Sequence, residues 1–547
     1  MYSRNKAYLF ACPLIHPLPH CVGLTSGCGS GGFVQASLPI PGVGSVCRPG
    51  SVYRFREDLG VFVYVWLHNY VLAGNIIIFP FTHCCTIVNP PPPPPGGCIV
   101  TPERSTRRFV YNCPIVSHTY ISYSIFISYK MAFQGLKWDE DLEPQWTTDI
   151  DPESIKQAIR RQTIQVSFID QWRFCKFYNI QIDGHTFDMR VYLPVDPHWK
   201  TISEVATMQW IRLNTALPVP NVLDYQASRE NAIGFEWILM SKVPGKALED
   251  TWISIPWKAK EQLVQEFAVY LSILFKKQLR NIGNIYPSSE SKPLQNDTLP
   301  EVKRIVSTEF FWGDHIHQNV PRGPFRSSND WIAARLLFNV NDCKSTLANS
   351  PDKEDLEDVD GTLKIIERLR THLSDIFPDC GINSEVSMLH HEGLNLKNIM
   401  VNGDGKLTGV VDWECVSAVP LWKACDYPDF LDRRSREERP DEKDYDRDDS
   451  DTLYWEHLMQ YELTVLRRFF INEMQRLEPE WVRVFESSKT QRGFDLAVKH
   501  CDDVLLASTI NEWIDDIASG KEIVGLMDLY YRKLEADVQF AVATIYP

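Results

Sequence analysis

Apolar and polar residues alternate through Phe187–Leu193, FDMRVYL. Met189, Val191 and Leu193 share one face and Asp188, Arg190 and Tyr192 the other, which predicts a β-strand. The period then lengthens. Thr201–Arg212 reads as a helix capped by Thr201 or Ser203, with Glu204 in its first turn, and Pro218 and Pro220 stop it. Phe235–Met240, FEWILM, is a continuous apolar run of the kind found in a buried strand. Lys242–Gly245 breaks that run, and Leu263, Phe267, Leu271 and Leu274 recur at helical spacing within Lys260–Gln278. Ser350–Gly361, an acidic stretch, is expected to be a loop. Leu458, Tyr461, Val465, Leu466 and Phe469 mark a late helix. Strands followed mainly by helices indicate an α+β protein with two lobes.

Within Leu389–Phe430, two short apolar strands, Ile399–Val401 and Leu407–Val411, flank Asn402–Gly405, whose residues tolerate positive φ. Such a hairpin brings Asn398, before its first strand, close to Asp412, after its second. An amide oxygen beside a carboxylate suits Mg²⁺, a hard cation that takes oxygen ligands and leaves positions for phosphate and water.

Composition alters the picture at the N-terminus. Residues before Met131 contain nine basic and three acidic side chains, a net of +6, so the overall −15 leaves −21 for the 417 residues that follow. Eight of the 14 cysteines and the run Pro90–Pro95 also fall there. Residues 1–130 are therefore expected to be a low-charge extension, disordered or outside the mature fold. Val61–Phe81 is long enough to span a bilayer, but its His68, Asn69, Asn75 and Pro80 disfavour a membrane helix. Arg4 and Lys6 before Ala7–Ile15 imitate a leader that Pro13 and Pro17 interrupt. Gly27, Gly29 and Gly32 match the kinase glycine loop only literally, because no strand pattern brackets them. The acidity of the remaining chain excludes a general nucleic-acid binder. Its six cysteines lack the paired spacing of a zinc or redox centre. Asp432–Asp451, with 16 charged residues in 20, reads as a solvated loop or helix face.

His391, Leu394, Asn398, Asp412, Trp413 and Glu414 together resemble the catalytic segment of the aminoglycoside phosphotransferase family, and specifically its fungal branch. FFWGD (Phe310–Asp314) and RGPF (Arg322–Phe325) extend the likeness. The resemblance implies a protein-kinase-like fold, with residues 131–240 as a small N-lobe built on an antiparallel sheet. Residues 241–547 would then form a larger helical C-lobe carrying the catalytic-loop-like segment 389–414. It further implies ATP and Mg²⁺ as cofactors, Asn398 and Asp412 as metal ligands, and Arg190 as the residue that meets the phosphates. Glu204 would pair with Arg190, and Glu236, Ile238 and Met240 would form the adenine-binding hinge. The acceptor would be a small hydroxylated molecule, the placement cytoplasmic, with the mitochondrial association known among fungal relatives.

Two positions depart from the family pattern. Gly393 stands five residues before Asn398, where the family carries its catalytic aspartate, leaving His391 and Glu392 as the neighbouring candidates. Loss of a positioned base costs roughly 10²–10⁴-fold in rate. Gln171–Phe177 carries Trp172 and Arg173 where a glycine-containing turn would approach phosphates. The expected function is phosphoryl transfer; the alternative is an inactive, nucleotide- or protein-binding pseudokinase.

Overall fold

The computed structural model describes residues 133–139, 141–160, 164–287, 300–379, 381–445 and 450–534, together with two strands, Val52–Arg56 and Phe62–Trp66. The chain divides into Phe10–Cys113 and the remainder. In the former, the two strands pair antiparallel, with Val52 opposite Trp66. The leader-like Ala7–Ile15, Gly27–Gly32 and the rest of Val61–Phe81 lie outside the described residues. No described helix is long and apolar enough to cross a membrane.

In the remainder, five strands form an antiparallel sheet: β1 Ile164–Trp172, β2 Cys175–Ile182, β3 His185–Tyr192, β4 Val222–Gln226 and β5 Glu236–Ser241, ordered β1-β2-β3-β5-β4. The alternation in FDMRVYL sorts its residues between two buried faces. Met189, Val191 and Leu193 pack with Trp237, Leu239 and Phe311. Tyr192, Ile238 and Met240 join the core that includes Val205 and Met208 of α1, Trp199–Asn214. Arg190 falls on the α1 face and is 7% exposed. The polar face of this strand is thus a second interior, covered by the helix.

Helix α1 begins before the predicted cap. His198, at φ 69°, precedes it, and Thr201 and Ser203 are the third and fifth residues of the helix. Their hydroxyls are used elsewhere, on Glu236 Oε2 (2.6 Å) and the Lys200 carbonyl (3.0 Å) respectively.

The second lobe is mainly helical. Helix α2, Trp257–Lys276, places Phe267 against Phe430 at 5.1 Å, and α3, Ser328–Asn349, packs beside α4, Lys353–Ile376. The acidic stretch expected to be a loop is instead the start of α4 over most of its length. Asp352 accepts from Glu354 N at 3.0 Å, and Glu354 and Asp355 lie at the positive end of the helix dipole. Helices α5 Ser450–Leu477, α6 Lys489–Lys499 and α7 Val504–Ala518 complete the lobe.

The chain leaves the sheet through residues 242–245, and β6, Lys246–Ala247, then pairs with the first strand of the predicted hairpin, β8 Ile399–Val401, whose partner is β9 Leu407–Val410. Before it runs β7, Val386–His390, paired with β10, Ser417–Pro420. The hairpin turn is closed by Asn402 Oδ1, which accepts from Asp404 N (3.0 Å) and Lys406 N (2.9 Å). Gly405 has φ 79°, and a Cβ there would come within 2.9 Å of Ala259 Cβ, so both backbone and space require glycine.

Candidate active site

Arg190 and Asp412, 222 positions apart in sequence, meet between the lobes. Arg190 Nη1 donates to Asp412 Oδ1 at 2.8 Å. Asp412 has φ 66°, a left-handed conformation that Asp tolerates better than most residues and that turns the chain sharply after β9. Trp413 anchors this turn. It is 1% exposed and its indole N–H donates to the Val410 carbonyl at 2.9 Å. Burying such a side chain contributes on the order of 2–3 kcal/mol.

Glu204 joins the pair from α1. Its Oε1 accepts from the Tyr192 hydroxyl at 3.0 Å and lies 3.5 Å from Arg190 Nη1. The expected Arg190–Glu204 contact is therefore present but longer than the contact to Asp412. A residue absent from the sequence-based set completes the cluster. Lys200 Nζ is 2.6 Å from Glu414 Oε2, 3.7 Å from Glu204 Oε2 and 3.9 Å from the Tyr192 ring centroid. Burial alone would discharge this amine, but Glu414 and Glu204 outweigh it and hold its pKa above the ordinary lysine value. One signal for it was present: Lys200 stands one helical turn before Glu204, on the same face.

Asn398 sits beside this cluster. Its backbone carbonyl accepts from Val411 N at 2.9 Å, and its Nδ2 donates to the Gly393 carbonyl at 2.8 Å. The amide nitrogen is thereby committed to the loop, which leaves Oδ1 as the atom that could ligate a cation. Together with the Asp412 carboxylate this is an oxygen donor pair suited to a hard divalent cation. No group of three or more His, Cys, Asp or Glu side chains able to hold a metal occurs among the described residues.

His391 is buried and edge-on to Trp413, with ring centroids 4.9 Å apart. Burial lowers its pKa to about 4, so the ring is neutral near pH 7. Glu392 is exposed and turns to Lys423, whose Nζ is 3.7 Å away. Desolvation raises its pKa, yet Lys423 and Lys499 more than offset this and hold it below the usual carboxylate value. A weakened base already paired with lysine is a poor replacement for the absent aspartate. Lys423 is tied in turn to Asp495 at 2.7 Å, and Asp495 pairs with Arg335, so Glu392 is the outer end of a buried ionic chain.

The predicted hinge residues Glu236, Ile238 and Met240 fall within β5. β5 is an interior strand, with Ile238 opposite Arg190 on one side and Tyr225 on the other, so its backbone is consumed by two ladders. Glu236 accepts from His198 N (2.5 Å) and Thr201 Oγ1 (2.6 Å), an internal role. Glu236, Ile238 and Met240 thus support the sheet, and the chain leaves it through residues 242–245, where the Pro244 carbonyl accepts from the Thr408 hydroxyl. The hairpin β1–β2, in the place of a glycine loop, turns through Arg173 at φ 39°, with Trp172 54% exposed.

Residues 178–423 match the model of the phosphotransferase enzyme family, APH. A subtelomeric hrmA-associated cluster protein of Aspergillus fumigatus is 24% identical over 292 residues, covering 45% of this chain and 56% of that protein. Clavilactone A biosynthesis cluster protein Y of Ampulloclitocybe clavipes is 26% identical over 261 residues, covering 46% and 59%. The chain thus spans somewhat over half the length of these curated relatives. Among solved structures, the apo form of a thermostable mutant of aminoglycoside phosphotransferase APH(4)-Ia aligns at 14% identity and a TM-score of 0.38, covering 68% of this chain and 100% of that one. The matched segment contains Arg190, Glu204, Asn398 and Asp412, so the region of this chain that builds the interlobe site is similar to the phosphotransferase enzyme family, APH.

Proposed function

We propose that the interlobe site binds ATP with Mg²⁺ and transfers a phosphoryl group to a small hydroxylated molecule, at a rate limited by the glycine at 393. The observation that carries this reading is the 2.8 Å contact between Arg190 and Asp412, with Asn398 held beside them. Asp412 and Asn398 are the residues that would hold the cation, which when bound neutralises charge on the phosphate oxygens. Arg190 meets the phosphates, and Glu204 with the Tyr192 hydroxyl fixes its direction. His391 and Trp413 keep the loop in place. Because phosphoryl transfer rests mainly on positioning and electrostatics, these parts support turnover even where the usual base is missing.

A second reading, a nucleotide-binding module without turnover, is favoured by Gly393 and by the engagement of Glu392 with Lys423. Both are tested on the full chain with ATP and MgCl₂. Saturation at 100 times the dissociation constant should stabilise the folded state by about 2.7 kcal/mol. ADP production should follow at a measurable rate. Stabilisation without ADP production supports the second reading; no stabilisation by Mg·ATP refutes both.

A further inference from the structure

The missing carboxylate at 393 leaves open where the acceptor's proton goes. A short helical turn, Asp429–Leu431, abuts the loop at this point, because Phe430 N donates to the Leu394 carbonyl at 2.8 Å. Phe430 and Leu394 are 1% and 3% exposed, so the junction is fixed by packing. Asp429 is next to Phe430 as Gly393 is next to Leu394, so this one hydrogen bond holds the segment carrying the half-buried Asp429 against the loop that carries position 393.

We propose that Asp429 takes the role of the absent aspartate and accepts the proton of the attacking hydroxyl. The inference rests on the phosphotransferase reading above. Neighbouring carboxylates are occupied: Glu392 faces Lys423 at 3.7 Å, and Asp426 faces Arg492 at 3.3 Å. Among the described residues the Asp429 carboxylate makes no hydrogen bond or ion pair, so it is free to receive one from a substrate. Its surroundings also suit the task. Burial and Asp432 raise its pKa, Arg433 and Lys499 oppose them, Glu392 adds to the rise, and the result is about 6. A base is most effective with a pKa near the working pH. In the step itself the hydroxyl oxygen bonds to the γ-phosphorus and its proton passes to Asp429. The bond from the γ-phosphorus to the bridging oxygen breaks, and that electron pair leaves with ADP.

Hydrolysis of Mg·ATP by the full chain, with water as acceptor, provides the test. Asp429→Asn should lower kcat at least 10-fold and abolish the rise in rate through pH 6, while Mg·ATP still stabilises the fold as in the parent. Gly393→Asp added to Asp429→Asn should restore turnover, with the rise displaced to lower pH. Unchanged turnover and pH profile in Asp429→Asn would overturn this inference and leave the phosphotransferase reading standing. A parent that binds Mg·ATP without turnover would overturn the inference and select the binding-only reading. A parent that does not bind Mg·ATP would overturn the inference together with both readings of function.

Discussion

Replacing Lys200 by methionine tests whether the interlobe cluster is held together electrostatically. The cluster contains two cations, Arg190 and Lys200, against three carboxylates, Glu204, Asp412 and Glu414. The side chains of Lys200, Glu204 and Glu414 are 3%, 1% and 15% exposed, so solvent cannot replace the lost charge. Lys200→Met preserves the length of the side chain but leaves one cation among three carboxylates. Removing one partner of a buried pair costs about 3–5 kcal/mol, because the remaining charge stays desolvated. The aromatic contact of Lys200 with Tyr192 is lost as well. Denaturant unfolding at pH 7 should therefore show a loss of about 3–5 kcal/mol. The pH dependence has a defined sign. The folded state raises the Lys200 pKa, so its contribution is complete below the unfolded value of about 10.4 and disappears as pH climbs through the folded value. Lys200→Met combined with Glu414→Gln should regain part of the loss, since one uncompensated carboxylate has been removed. A cost below about 1 kcal/mol, the level of a surface ion pair, or strict additivity of the two substitutions, would refute this account of the cluster.

Three further outcomes follow from the geometry. Gly393→Asp should fold like the parent, because a Cβ at 393 would meet its nearest neighbours, Asn398 Nδ2 and a His391 ring carbon, at an ordinary 3.6 Å; steady-state ADP production should rise, by at most the roughly 10²–10⁴-fold a positioned base supplies. Asp412→Asn keeps a residue tolerant of φ 66° while removing the carboxylate, so Mn²⁺ binding in the presence of ATP, followed by electron paramagnetic resonance, should weaken at least 10-fold without loss of fold. Asp495→Ala should cost about 3–5 kcal/mol at pH 7, since it strands Arg335 and Lys423 in the interior. Burial raises the Asp495 pKa, but Lys423 and Arg335 lower it far more. Its contribution is therefore present above the unfolded value of about 3.9 and is lost as pH falls through the folded one, which unfolding curves from pH 7 downward should record.

The legible parts of the site were those carried by short-range spacing. Alternation in FDMRVYL placed Arg190 on a strand, and a helical turn placed Glu204 behind it. The apolar hairpin around Asn402–Gly405 put Asn398 and Asp412 at its two ends. Contacts between distant segments had no such signature. Lys200 and Glu414 lie 214 positions apart, and nothing in either neighbourhood marks one as the partner of the other. The two-sided pairing of β5 was hidden for a different reason. FEWILM is uniformly apolar because it is covered on both faces, and that property does not reveal which end of the strand leads to the second lobe. At Ser350–Gly361 acidity suggested solvated coil, whereas the same charges stabilise a helix N-terminus once Asp352 caps it.

The two departures from the family pattern are of different physical kinds. At Gly393 a functional group is missing but the space for it remains, and the surrounding machinery is intact: Asn398 still bonds the carbonyl at 393, and His391 still packs on Trp413. At the β1–β2 turn a group has been added, since Trp172 and Arg173 project where an approaching backbone would need none. The first change takes away a side chain at 393 without disturbing the Arg190–Asp412 contact; the second changes how closely the turn can approach whatever lies beneath it. The three carboxylates of the buried cluster depend on Arg190 and Lys200 to offset their desolvation, so the Arg190 side is rigidly built while the turn above it is bulky. On the phosphotransferase reading proposed above, a phosphorylated ligand would be held more from the Arg190 side than by the turn.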